Sequence, residues 1–101
     1  MTFRLPGTTY VVQRQQWVKI GATTSLTTRL GALKHPKPGV LHPAGMDWSA
    51  PLTLITTWPD RTRETELHRR FAEHRVVGEW FHATPVLDAL WWDDLYGRIA
   101  S

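Results

Sequence analysis

The chain has 101 residues, 42% of them hydrophobic, six tryptophans, no cysteine and a formal net charge of +3. That length sets one domain over residues 1–101 with one modest core, and the lack of cysteine excludes disulfides, thiolate metal sites and cysteine nucleophiles. No apolar run approaches the roughly 20 residues of a membrane span and no charged-then-apolar leader opens the chain, so the expectation is an intracellular, cytoplasmic protein with no membrane partner.

Residues Thr8–Gln13 and Trp17–Gly21 are short, β-branched and aromatic, and Arg14-Gln15-Gln16 between them predicts a hairpin. A helix follows, capped by Thr24 or Ser25, with Leu26, Leu30 and Leu33 on one face and Pro36 as its stop. Residues 35–50 hold three prolines and two glycines without an apolar period, which reads as a long functional or mobile loop. Pro51–Trp58 is the third predicted strand. Pro59-Asp60 then caps a helix over Arg61–His74, and Val76–Gly78 makes a turn. Trp80-Phe81 is a short extended or buried segment, and Thr84-Pro85 opens a last helix over about 85–98. The order β-β-α-β-α-α predicts an α+β fold with a small three-stranded antiparallel sheet flanked by helices.

Charge is distributed unevenly along this order. Residues 1–46 carry Arg4, Arg14, Lys19, Arg29, Lys34 and Lys37 with no acid. Residues 47–75 balance five arginines against five acids, and residues 76–101 set Arg98 against Glu79, Asp88, Asp93 and Asp94. An acid-free first half suits a polyanionic partner or a solvated basic surface.

In the second predicted helix Glu64, Leu67, His68 and Phe71 share one face. Leu67 and Phe71 must turn inward, which brings Glu64 and His68 to the core side. A carboxylate there is costly unless it is paired or bound to metal. It can form a buried ion pair with Arg29 or Arg75, or belong to a site. Arg29 lies at the edge of the first helix's apolar stripe, where its planar fork suits a phosphate. His35, His42, His74 and His82 have no ligand spacing and read as surface residues.

Tyr10, the strand Val18-Lys19-Ile20-Gly21, Arg29 eight residues beyond that glycine, the Glu64-x-x-Leu67-His68 helix and Gly78-Glu79-Trp80-Phe81 stand in an order that resembles the GIY-YIG endonuclease superfamily. The nearest pattern is its phage and bacterial branch with a Val-Lys-Ile-Gly second motif, and the resemblance spans about residues 9–81. It implies a GIY-YIG-like domain that hydrolyses phosphodiester bonds of nucleic acid, DNA in the first instance, with one divalent cation, Mg2+ or Mn2+. Glu64 would hold the cation, with Glu79 as its rival. Arg29 would meet the scissile phosphate, Tyr10 would position or activate water, and Lys19 stands where the family's second-motif tyrosine falls. The general base is open among Tyr10, Lys19 and His68. Gly21 would let the backbone approach the substrate, and Arg14, Lys34 and Lys37 would contact phosphates. The chain departs from the family in reading Thr9-Tyr10-Val11-Val12 at the first motif, in Leu33 where many members carry a histidine, and in having no asparagine. A catalytically inactive nucleic-acid-binding or adaptor module on the same fold is the alternative.

Of the tryptophans, Trp58 and Trp80 suit the core, whereas Trp48 can stack on bases. Trp91 and Trp92 cannot both face inward from one helix. With Leu95 and Tyr96 beside them they predict a protein interface or self-association, because Asp88, Asp93 and Asp94 would repel phosphate.

Overall fold

The computed structural model describes residues 6–100. Strand β1, Thr8–Arg14, turns back through Gln15 and Gln16 into strand β2, Trp17–Thr23, with Tyr10 opposite Gly21 and Val12 opposite Lys19. Gln15 takes a φ of 55°, so the turn closes without a glycine. Helix α1 spans Leu26–Ala32, and a long loop then leads to strand β3, Thr53–Trp58, antiparallel to β1. Helix α2, Arg63–Arg70, follows a turn in which Asp60 accepts the Thr62 N–H at 2.8 Å.

The expected sheet of three strands is corrected to five, in the order β3-β1-β2-β5-β4. The two additional strands are β4, Arg75–Val77, and β5, Trp80–His82, a tight antiparallel pair turned at Gly78 with φ 54°. The segment expected to be only a turn is therefore half of a hairpin. The expected Arg61–His74 helix also ends early, because Ala72–His74 tightens into a 3-10 turn that delivers the chain to β4. β5 pairs with β2 from Trp17 to Lys19, so it covers less than half of that strand's outer edge. The chain closes with α3, Ala83–Ala100.

Alternation along the strands gives the sheet two unlike faces. On one face Val11, Val18, Ile20 and Phe81 meet Leu67 and Phe71 of α2 and Ala83 and Val86 of α3, forming the main core. The opposite face carries Tyr10, Val12, Arg14, Trp17, Lys19, Gly21 and Trp80 in register. There Trp17 and Trp80 pack with Met46 and Trp48 from the long loop. Trp91, Trp92 and Tyr96 of α3 are all exposed, in contact with one another as an aromatic row. Among the described residues, no helix is long and apolar enough to cross a membrane.

Candidate nucleic-acid interface and carboxylate site

The unpaired stretch of β2 decides where the site forms. Ile20 lies just past the end of β5, and its two main-chain groups need partners there. Its N–H donates to the Glu79 carbonyl at 3.0 Å, and its carbonyl accepts from His68 Nε2 at 2.8 Å. These two bonds bring α2 and the β4–β5 turn to the same point. Glu64, one helical turn before His68, consequently faces Glu79.

Glu64 keeps only 27% of its side chain exposed, with Oε1 3.9 Å from His68 Nε2. Burial first, and then the neighbouring Glu79 carboxylate, push the Glu64 carboxyl above the usual carboxylate range, while His68 and Lys19 pull it back. Lys19 is 5% exposed, sits 3.5 Å from Glu79 Oε2 and rides over the Trp80 ring at 5.9 Å. A buried ammonium and a half-buried carboxylate thus meet a second carboxylate, Glu79, whose side chain is 42% exposed. The expected ion pair of Glu64 with Arg29 or Arg75 does not occur: Arg75 Nη2 instead donates to His68 Nδ1 at 3.3 Å. With both ring nitrogens engaged, His68 orients α2 against the sheet rather than standing free as a base.

Tyr10 is wholly buried beneath Gly21, where a methyl group would overlap its hydroxyl. The glycine in β2 is there for that ring. Among the described residues no side chain meets strict hydrogen-bond geometry at the Tyr10 hydroxyl, although Arg29 lies near enough to interact with it. Burial raises its pKa most, Arg29 draws it down, and Glu79 and Glu64 raise it again, leaving it at about 12. The phenol is accordingly a protonated donor near neutral pH, within electrostatic reach of the Arg29 guanidinium and of both carboxylates. Arg29 itself is exposed on α1.

In front of this group lies a cleft of about 400 Å³ between α1, the long loop and the sheet, lined among others by Lys19, Arg29, Lys37, Trp48 and Trp80. His35 and His42, which the sequence places merely on the surface, also line it. Lys34 does not, and Arg14 does not reach it either. Arg14 is 2% exposed and donates to the carbonyls of Leu33 at 2.9 Å and Ala50 at 3.2 Å, with its guanidinium 5.1 Å from the Trp48 ring centre. The expectation that Arg14 contacts phosphate is corrected: its donors are spent on the two ends of the long loop, which it ties down on the sheet. What sequence reasoning missed is the pairing of Glu79 with Glu64 and the loop-borne wall of the cleft. The Gly-Glu-Trp-Phe segment was the available signal for the first, and the Trp48 between turn residues for the second.

Among the described residues no group of three or more His, Asp or Glu side chains could hold a metal ion. The donor set at Glu64 and Glu79 is two carboxylates, one of them held above its ordinary pKa by burial and by the other. That is chemistry a divalent cation relieves, and Mg2+ commonly takes one or two carboxylates and completes its shell with water and phosphate oxygens.

The T5orf172 domain family matches residues 7–99, and the chain belongs to that family. This finding overturns the assignment to the GIY-YIG superfamily that the motif order suggested. No curated protein and no solved structure matches the chain.

Proposed function

We propose that this member of the T5orf172 family is a divalent-metal-dependent endonuclease that hydrolyses phosphodiester bonds in DNA. The family supports the coarse part of that reading, since the T5orf172 domain is phage-derived and linked to nuclease and DNA-binding proteins. The observation that carries the finer part is the half-buried Glu64 carboxylate beside Glu79 and Lys19, with Lys19 also lining the cleft that bears Arg29 and Lys37.

In this reading Glu64 and Glu79 hold one Mg2+ or Mn2+. A cation held there would supply neutralising charge and polarise the phosphoryl oxygens. Arg29 takes a non-bridging oxygen of the scissile phosphate with its bidentate fork, and its charge counts most as negative charge grows in the transition state. Lys19 balances the carboxylate pair and limits their mutual repulsion before substrate arrives. Tyr10, kept protonated by its burial, acts as a hydrogen-bond donor and an orienting dipole, not as a base. His68 is a positioning residue that fixes the Glu64 turn of α2. Lys37 contributes sequence-independent phosphate attraction.

The complete burial of Tyr10 favours a second reading, a nucleic-acid-binding module that does not cleave. Incubating supercoiled plasmid with the purified protein, with Mg2+, with Mn2+ and with chelator, separates the two. Cation-dependent nicking that falls roughly 10²-fold or more in Glu64→Gln and in Arg29→Ala supports the nuclease. Salt-sensitive DNA binding with no cleavage under either cation supports the binding module.

A further inference from the structure

The cleft has more apolar surface than phosphate recognition requires. Its cations are Lys19 on the sheet, Arg29 on α1 and Lys37 on the long loop. Its apolar lining comes largely from the same loop, with the half-buried Trp48 ring, Val40, 45% exposed, and Leu41, 62% exposed. Leu41 is held over the β4–β5 turn, close enough to Gly78 that a methyl there would lie 3.1 Å from its Cβ. Arg14 fixes both ends of this loop, and His42 braces Trp48 edge-on at 5.1 Å between ring centres. The apolar wall is therefore a built surface. Its volume of about 400 Å³ lies in the range of small-ligand pockets, which is too small for a duplex and suited to a single nucleotide.

We infer that the cleft receives one unpaired nucleotide of the nucleic acid, its base against Trp48, Val40 and Leu41 and its phosphates toward Arg29 and Lys37. The inference rests on the nucleic-acid reading above and narrows it. The preferred substrate then carries an unpaired base beside the bond that is cut, in a single strand, at a bulge or at a base turned out of the duplex. Charge complementarity argues for this occupant: three cations and an indole ring lining one cleft match a phosphate and a base, whereas an apolar peptide would leave Lys19, Arg29 and Lys37 facing carbon. Stacking also tolerates any base, so the cleft selects for pairing state and not for sequence.

The test titrates the full chain, in chelator to prevent cutting, onto two DNA duplexes that differ by one unpaired 2-aminopurine nucleotide. Wild-type protein should bind the bulged duplex roughly tenfold more tightly than the paired one, and 2-aminopurine fluorescence should be quenched on binding. Trp48→Ala should bring the affinity ratio close to one and remove the quenching, and Trp48→Phe should retain most of both. Since Trp48→Ala also uncovers Arg14, the double variant Val40→Ala/Leu41→Ala, at two exposed positions, should lower the ratio independently. Equal affinity of the wild type for both duplexes, or preference without quenching, overturns the unpaired-nucleotide site while the nucleic-acid reading stands. Failure to bind either duplex at low salt overturns both.

Discussion

The two faces of the central hairpin are built from alternate residues of the same fourteen positions in β1 and β2, yet they do opposite work. Val11, Val18 and Ile20 meet α2 and α3 in a core made only of carbon contacts. Arg14 and Lys19 on the other face are buried cations, held by main-chain carbonyls and by Glu79 respectively, and the Tyr10 hydroxyl is buried beside them. Side chains on the first face interlock with neighbours on all sides and set the stability of the fold. The second face spends some of that stability to hold charge at low exposure, which is the common condition of a functional site. The lesson is that strand period alone can separate scaffold from chemistry within one small sheet.

That division can be broken most severely at Phe81, wholly buried against both helices. Phe81→Ala should cost about 3–5 kcal/mol in chemical denaturation, while cleavage or binding per folded molecule stays near wild type below its melting temperature. A selective loss of activity at unchanged stability would contradict the division of labour. Gly21→Ala tests the other face. Its methyl must displace the Tyr10 ring, so a loss of about 1–3 kcal/mol should accompany a fall in activity.

Glu64→Gln should show the opposite sign. The folded-state pKa of Glu64 lies above its ordinary value, so the folded protein holds that proton more tightly than the unfolded chain does. Ionised Glu64 therefore adds no penalty at pH values below the ordinary carboxylate pKa, and a penalty that grows as pH rises through the raised value. In chelator, Glu64→Gln should melt at the same temperature as wild type or higher at neutral pH, with the gap closing in acid. A clear destabilisation at neutral pH would mean that His68 and Lys19 more than compensate the burial. The smallest expected effect separates two lysines adjacent in the basic half. Lys37→Ala should flatten the slope of log affinity against log salt by about 0.9 on duplex DNA, and Lys34→Ala, outside the cleft, by much less. Equal slopes would place the nucleic acid beyond the cleft.

Much of the scaffold was legible in the residues, and the reasons differ by element. The hairpin was visible because Thr8–Gln13 and Trp17–Gly21 are rich in β-branched and aromatic residues, and the strands extend one and two residues further. The inward turn of Glu64 followed from its spacing to Leu67 and Phe71, both buried. Its neighbours did not follow, because Glu79 reaches it through a hairpin whose strands are three residues each, too short to show a period. The burial of Arg14 was hidden for another reason: its partners are main-chain carbonyls at Leu33 and Ala50, which any residue type supplies. The motifs pointed to the wrong family, since each motif is a local arrangement that different families can share.

The position of β5 has a consequence in time as well as in space. β2 lies within the first quarter of the chain, but the strand that pairs with its outer edge is Trp80–His82, and the helix that closes Ile20 begins only at Arg63. During synthesis the hairpin and Arg29 emerge first and can fold locally. Glu64 follows on α2, and Glu79 joins it only with the β4–β5 hairpin. A ribosome-bound chain that stops short of residue 79 therefore carries the basic half and Glu64 without Glu79. In the reading proposed above, such a chain would present its phosphate-binding cations before the carboxylate pair is complete.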